Sequence, residues 1–245
     1  MIITARKSNE TLLSFLRPSA EREGSQPRVI LLGCSECATL CKTGGEEQLE
    51  EARSFLASEG IETLSSLVLE PACNAQKVKL AFTRTLSPWV TRRPDEGGSF
   101  SVVCFSCGDG VQTVAGVASQ LGLTVPVYPG TDTLFLGEVV RAGDYVEQCR
   151  ACGHCELGWT GGICPFTHCA KGLLNGPCGG AKGRSCEVNK DAECAWLRIY
   201  DRLEALGMLD NLLEIRPPRD NSLSPRKHSI RQSRLGSPDL PEVRA

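Results

Sequence analysis

From Cys149 to Cys194 the chain reads CRACGHCELGWTGGICPFTHCAKGLLNGPCGGAKGRSCEVNKDAEC, and this stretch limits the possible folds more than any other. It carries eight of the fourteen cysteines and nine glycines. Its large apolar residues are only Leu157, Trp159, Ile163, Phe166, Leu173, Leu174 and Val188. So few apolar side chains do not offset the conformational entropy lost on ordering so long a segment. The cysteines must therefore be cross-linked, either to one another or through metal.

The compartment bears on that choice. The N-terminal run MIITARKSNETLLSFL sets acidic and polar residues where a signal peptide keeps its apolar region. It reads as an amphipathic helix over residues 1 to 20, with Ser8 or Asn9 as N-cap and Leu12, Leu13, Phe15 and Leu16 on one face. A chain without an export signal is expected in the cytoplasm, where disulfides rarely persist, and that favours metal. A net charge of −2 and aromatics at 5% argue against a nucleic-acid surface. No apolar run approaches the roughly 20 residues of a membrane span.

Ahead of the cysteine-rich stretch, strands and helices alternate. RVILLG (28–33), TLSSLVLE (63–70), FSVVCF (100–105) and TVPVYPG (124–130) read as strands. Helices are predicted over 45–60, over 74–90 from an Asn74 cap to Pro88, and over 108–122. This alternation predicts an α/β fold: a Rossmann-like, parallel-sheet, three-layer N-terminal domain over residues 1–131. Sites in such sheets collect beyond the carboxyl ends of the strands. Cys34, Cys37 and Cys41 follow the first strand, Cys73 the second and Cys107 the third, so all five should converge on one edge of the sheet. Their C-x2-C-x3-C start suits a cluster, and the plainer reading is reduced cysteines near a turn. Cys104 falls within a strand and reads as a small buried hydrophobe.

Residues 132–215 form the second predicted domain, a cysteine-rich, metal-stabilised module with a terminal helix. Residues 131 to 148 bridge into it. After Cys194, AWLRIYDRLEALGMLDNLLEI reads as one amphipathic helix with Trp196, Ile199, Leu203, Leu206 and Leu209 as its stripe. Residues 216–245, with five prolines and seven basic against three acidic residues, read as a disordered tail.

Within the module, Cys149, Cys152 and Cys155 stand two residues apart and are followed by Cys164-Pro165. That is the ferredoxin arrangement for a 4Fe-4S cluster, although the Cys-Pro lies farther on than in the ferredoxin run. Cys169, Cys178, Cys186 and Cys194 supply four more thiolates, enough for a second cluster or for zinc. Abundant glycine lets backbone N–H groups approach sulfur. His154 and His168 lie among these cysteines, and His154 reads either as a donor to a cluster sulfur, a replacement zinc ligand or a solvated loop residue. No Ser/His/Asp set or spaced carboxylate pair marks a hydrolytic centre, and neither GCSEC nor GDGVQTVAG is a dinucleotide fingerprint.

GCSECATLCKTGG, ACGHCELGWTGGICPFTHCAKGLLNGPCGG and CEVNKDAECAWLRIYDRLEALGML together resemble the methylenetetrahydrofolate reductase C-terminal-like family, which includes the cysteine-rich small (V-type) subunit of the acetogen-type reductase. The resemblance spans residues 1 to 213. It implies an accessory subunit of a methylenetetrahydrofolate reductase complex with two or three 4Fe-4S clusters, zinc or both, not catalytic alone. Its partner would be a flavin-containing subunit that reduces 5,10-methylenetetrahydrofolate to 5-methyltetrahydrofolate, fed through this chain from a further electron-donor protein. Cys34, Cys37, Cys41, Cys73 and Cys107, and all eight cysteines of the second group, fall on the family's pattern, whereas Cys104 does not. The competing reading is a zinc-braced scaffold in the same complex, without redox work.

Overall fold

The computed structural model describes residues 1–23, 26–90, 100–141, 143–153 and 155–218. It divides into two compact units, Met1–Tyr145 and Val146–Ala245. The first unit opens with β1 (Ile2–Arg6), α1 (Asn9–Glu23), β2 (Arg28–Cys34), the single turn α2 (Cys37–Leu40), α3 (Glu46–Ser58) and β3 (Glu62–Leu69). It continues with α4 (Ala75–Leu80), a π-helical turn (Ala81–Thr85), α5 (Ser87–Val90), β4 (Ser101–Cys104), α6 (Gly108–Gln120), β5 (Val127–Pro129) and β6 (Thr131–Arg141). β7 (Asp144–Cys149) carries the chain across the divide.

A parallel sheet of order β3-β2-β4-β5 forms the centre of the first unit. Side chains alternate across a strand, and the apolar runs of β2 and β4 therefore feed two cores. Ile30, Leu32, Val102 and Cys104 meet Val78, Phe82 and the α6 residues Val114, Val117 and Ala118 on one face. Val29, Leu31, Val103 and Phe105 meet Leu12 and Leu16 of α1 and Leu49, Ala52 and Leu56 of α3 on the other. Helices thus cover both faces of the parallel sheet. The connection leaving β2 returns to β3 on one side, and the one leaving β3 crosses to β4 on the other. The crevice between the ends of β2 and β4 is therefore the switch point where such folds place their sites.

Four local expectations are corrected. Residues 2–6 are a strand, not the first turns of a helix; Ile2 and Ile3 pair with Leu136 and Phe135 of β6. The helix begins only after Ser8, whose Oγ accepts from the Thr11 N–H at 3.1 Å and so supplies the cap. Residues 131–148 are not a plain bridge: β6 and β7 complete a second sheet of order β1-β6-β7, with β1 antiparallel to β6. Residues 74–90 are not one helix. Asn74 Oδ1 does cap its start, accepting from the N–H groups of Gln76 (3.1 Å) and Lys77 (3.2 Å), but the helix widens into the π turn at Ala81.

Among the described residues of the second unit, most lie in turns, bends and irregular chain, and the helices are the short α7 (Pro165–His168) and α8 (Ala195–Leu206), followed by a 3-10 turn (Leu209–Leu213). The fourth correction falls here: α8 stops at Leu206, because Gly207 takes the left-handed conformation (φ 69°) that ends a helix. Trp196, Ile199 and Leu203 are buried as expected, whereas Leu206 is 44% exposed. These three and Cys194 form a small core with Ile163, Cys169, Leu173 and Met208 around it.

Candidate metal centres

The sheet edge of the first unit is built by close backbone contacts. A Cβ at Gly33 would overlap the Gly44 carbonyl, and a Cβ at Gly44 would overlap the Phe105 carbonyl. Glycine at both positions lets the loop that follows β2 fold back on the ends of β2 and β4. The Cys34 N–H donates to Gly44 O at 3.0 Å, and the Ser35 N–H to Leu69 O at 2.9 Å, which ties this loop also to the end of β3.

Cys34, the last residue of β2, is buried, and so is Cys107, the N-cap of α6. Cys73 follows β3 and is exposed. Its thiol is pushed up by its partial burial, then by Asp109, Cys34 and Cys107 nearby. Cys34, Cys73 and Cys107 follow the ends of the neighbouring strands β2, β3 and β4. Cys37, which opens α2, and Cys41, its C-cap, face β1: Cys37 Sγ accepts from the Ile2 N–H at 3.4 Å, and the Cys41 thiol donates to Ile2 O at 3.8 Å. The structure therefore places Cys34, Cys73 and Cys107 after the ends of neighbouring strands and seats Cys37 and Cys41 against the first strand. Cys104 lies in the core, its thiol pushed up by complete burial and then by Cys34 and Cys107. A thiol that resists ionisation is a poor ligand.

In the second unit, Cys169, Cys178, Cys186 and Cys194 line one cavity of about 20 Å3, with Lys171 and Glu187 paired at its wall. Each of the four is placed by local structure. Cys169 follows α7, and Cys194 caps α8. The Cys186 N–H donates to Ala192 O at 2.9 Å, and the Cys194 N–H to Arg184 O at 2.8 Å. Cys178 Sγ accepts from the Gly180 N–H at 3.4 Å, a backbone-to-sulfur contact of the kind the glycine content predicts. The Cys186 thiol is pushed down by the backbone N–H groups of Asn189 and Val188, with Lys171 adding a smaller pull.

Cys149, the last residue of β7, and Cys152, Cys155 and Cys164 in irregular chain are exposed or half-exposed. Cys149 Sγ accepts from the Ala151 N–H at 3.3 Å, and Cys164 caps α7 ahead of the buried Pro165. His168 Nε2 is 2.9 Å from Gln148 Oε1, while His154 lies outside the described residues. All fourteen cysteines are unbridged. Among the described residues, no three or more of the His, Cys, Asp and Glu side chains are set as a ready-made metal shell. The donor set is of the soft kind that thiolate-binding metals take, and Cys169, Cys178, Cys186 and Cys194 line one cavity with a backbone N–H on the Cys178 sulfur.

Sequence reasoning did not foresee the Lys171–Glu187 pair at the four-cysteine cavity, nor the burial of Glu156 under Arg216. Charges so far apart in the chain carry no periodic signal.

A family model described as methylene-tetrahydrofolate reductase C terminal matches residues 128–222. The matched span contains all eight cysteines of the second group and stops short of the sheet-edge cysteines. No curated protein and no solved structure matches the chain. The family match supports an association of this chain with methylenetetrahydrofolate reductase.

Proposed function

We propose that the chain is a cysteine-rich accessory subunit of a methylenetetrahydrofolate reductase complex, passing electrons to a flavin-containing partner that reduces 5,10-methylenetetrahydrofolate to 5-methyltetrahydrofolate. The observation that carries this reading is the family match over residues 128–222, which encloses eight cysteines outside any disulfide in a unit with a small apolar core. Iron–sulfur clusters, when bound, supply single-electron transfer. In this reading Cys34, Cys73 and Cys107, with Cys37 or Cys41 beside them, hold one cluster at the sheet edge. Cys149, Cys152, Cys155 and Cys164 hold another. The buried positions of Cys34 and Cys107 keep water from one side of the first site, and the glycine-rich turns of the second unit bring N–H groups to sulfur.

One observation favours zinc at the remaining quartet. The cavity shared by Cys169, Cys178, Cys186 and Cys194 is about 20 Å3, close to the room taken by one water-sized probe and suited to a single ion. A tetrahedral four-cysteine zinc would brace the turns around α8 without redox work.

The test uses the full chain, purified anaerobically, reduced with dithionite and freed of excess dithionite by gel filtration, then mixed with oxidised flavoprotein reductase. Bleaching of the flavin absorbance that depends on this chain is the expected result. A colourless chain that binds the flavoprotein but leaves its flavin oxidised would remove the relay and leave the zinc-braced scaffold.

A further inference from the structure

The second unit contains a larger cavity, of about 290 Å3, that no cysteine lines. Trp159, Trp196, Tyr200 and Leu212 give it apolar walls, and Glu156 and Arg216 stand at its polar side. That volume is at the lower end of small-ligand pockets. Glu156 is its most unusual member, a carboxylate with only 4% of its side chain exposed. Buried carboxylates are rare without a partner.

Its partner arrives from the far end of the unit. Arg216 Nε donates to Glu156 Oε2 at 3.0 Å, and the Arg216 guanidinium lies over the Trp159 ring, 4.4 Å from its centroid. Arg216 is 17% exposed at its side chain, whereas the preceding Ile215 is 86% exposed. The backbone of residue 216 is held separately. Asn175 Oδ1 accepts from the Arg216 N–H at 2.7 Å, and Asn175 Nδ2 donates to Arg216 O at 2.9 Å. One amide side chain thus satisfies both backbone groups of one residue, as a strand neighbour would.

The receiving groups are fixed independently of Arg216. The Trp159 and Thr160 N–H groups donate to Glu156 O at 3.0 and 3.3 Å, and Asn211 Nδ2 donates to Trp159 O at 3.1 Å. The segment that brings Arg216 has the opposite character. Ile215 and Pro217 on either side of it are exposed, and the two prolines after it favour an extended, preformed backbone. Carboxylate, indole face and backbone-reading amide meet a single side chain on an otherwise exposed strand.

We propose that this pocket is a recognition site for an arginine carried on an extended peptide, occupied in cis by Arg216. The planar guanidinium matches the site in two ways at once, lying over the indole face while directing an N–H at the carboxylate. The inference is independent of metal binding and of the reductase reading.

The test uses the full chain as Arg216→Ala, with N-acetylarginine methylamide as the probe and the Trp159 indole N–H resonance as the readout. The vacated pocket should take up the probe saturably, with a dissociation constant on the order of 1 mM. The unsubstituted chain should not respond over the same range. The lysine analogue of the probe should bind at least about tenfold more weakly, and adding Glu156→Gln should weaken arginine uptake by a similar factor. Arg216→Lys provides a second, milder vacancy and should give the same pattern. No saturable response in either variant, equal binding of the lysine analogue, or equal binding to the unsubstituted chain would overturn the proposal. Failure of both variants to fold would overturn it too, because a ligand can leave a preformed pocket without collapse.

Discussion

The fourteen cysteines differ in what their surroundings allow them to do. Cys104 is fully buried in the core between the sheet and α6, and burial pushes its thiol up. Cys104→Ala should therefore leave metal content unchanged, at a stability cost of about 1 to 2 kcal/mol for the lost side-chain contacts. Cys152→Ala and Cys164→Ala should each lower metal content and loosen the second unit, read by metal analysis and circular dichroism. Equal metal loss in all three variants would refute the assignment. Reactivity offers a second check. The Cys186 thiol is pushed down and the Cys73 thiol up, so in the metal-free chain Cys186 ionises at lower pH. Iodoacetamide labelling followed by peptide mass spectrometry should show Cys186 modified at a lower pH than Cys73. The reverse order would contradict the backbone N–H groups as its stabiliser.

At the scale of elements, the parallel sheet was legible because its strands are short apolar runs separated by helices with clear periods. β2 spans Arg28–Cys34 and β3 spans Glu62–Leu69, each within about a residue or two of the expected bounds. The caps at Ser8 and Asn74 were legible for the same local reason. The sheet of β1, β6 and β7 was not. β1 has five residues and becomes a strand through pairing with β6, more than a hundred positions away, and no local period announces such a pairing. The placement of Cys34, Cys73 and Cys107 after neighbouring strand ends was legible from topology, since strand ends of a parallel sheet share an edge. The partition of Cys37 and Cys41 toward β1 was not, because it depends on that same long-range pairing. The glycines under the loop after β2 also yield a prediction. Gly44→Ala should force its Cβ into the Phe105 carbonyl and destabilise the first unit by about 2 kcal/mol or more, measured as a lowered denaturation midpoint. Gly116→Ala, on the open side of α6 with nothing near its Cβ, should leave the midpoint unchanged or raise it.

For the whole molecule, each of the two units carries cysteines. The first places thiols at the end of a sheet with helices on both faces. The second strings eight across turns with a core of few side chains. The family match falls mainly on the second unit, so the link to methylenetetrahydrofolate reductase rests on that unit. Among the described residues no helix is long and apolar enough to cross a membrane. The central claim, that these thiols are metal ligands rather than spare core and surface cysteines, is tested most directly by composition. The full chain, purified without oxygen and without chelator, is assayed for iron, acid-labile sulfide, zinc and titratable thiols. The account predicts bound metal, with iron and sulfide in equal amounts where clusters form, and most thiols shielded from titration until the metal is removed. A folded, metal-free chain in which the exposed cysteines titrate at once would contradict it.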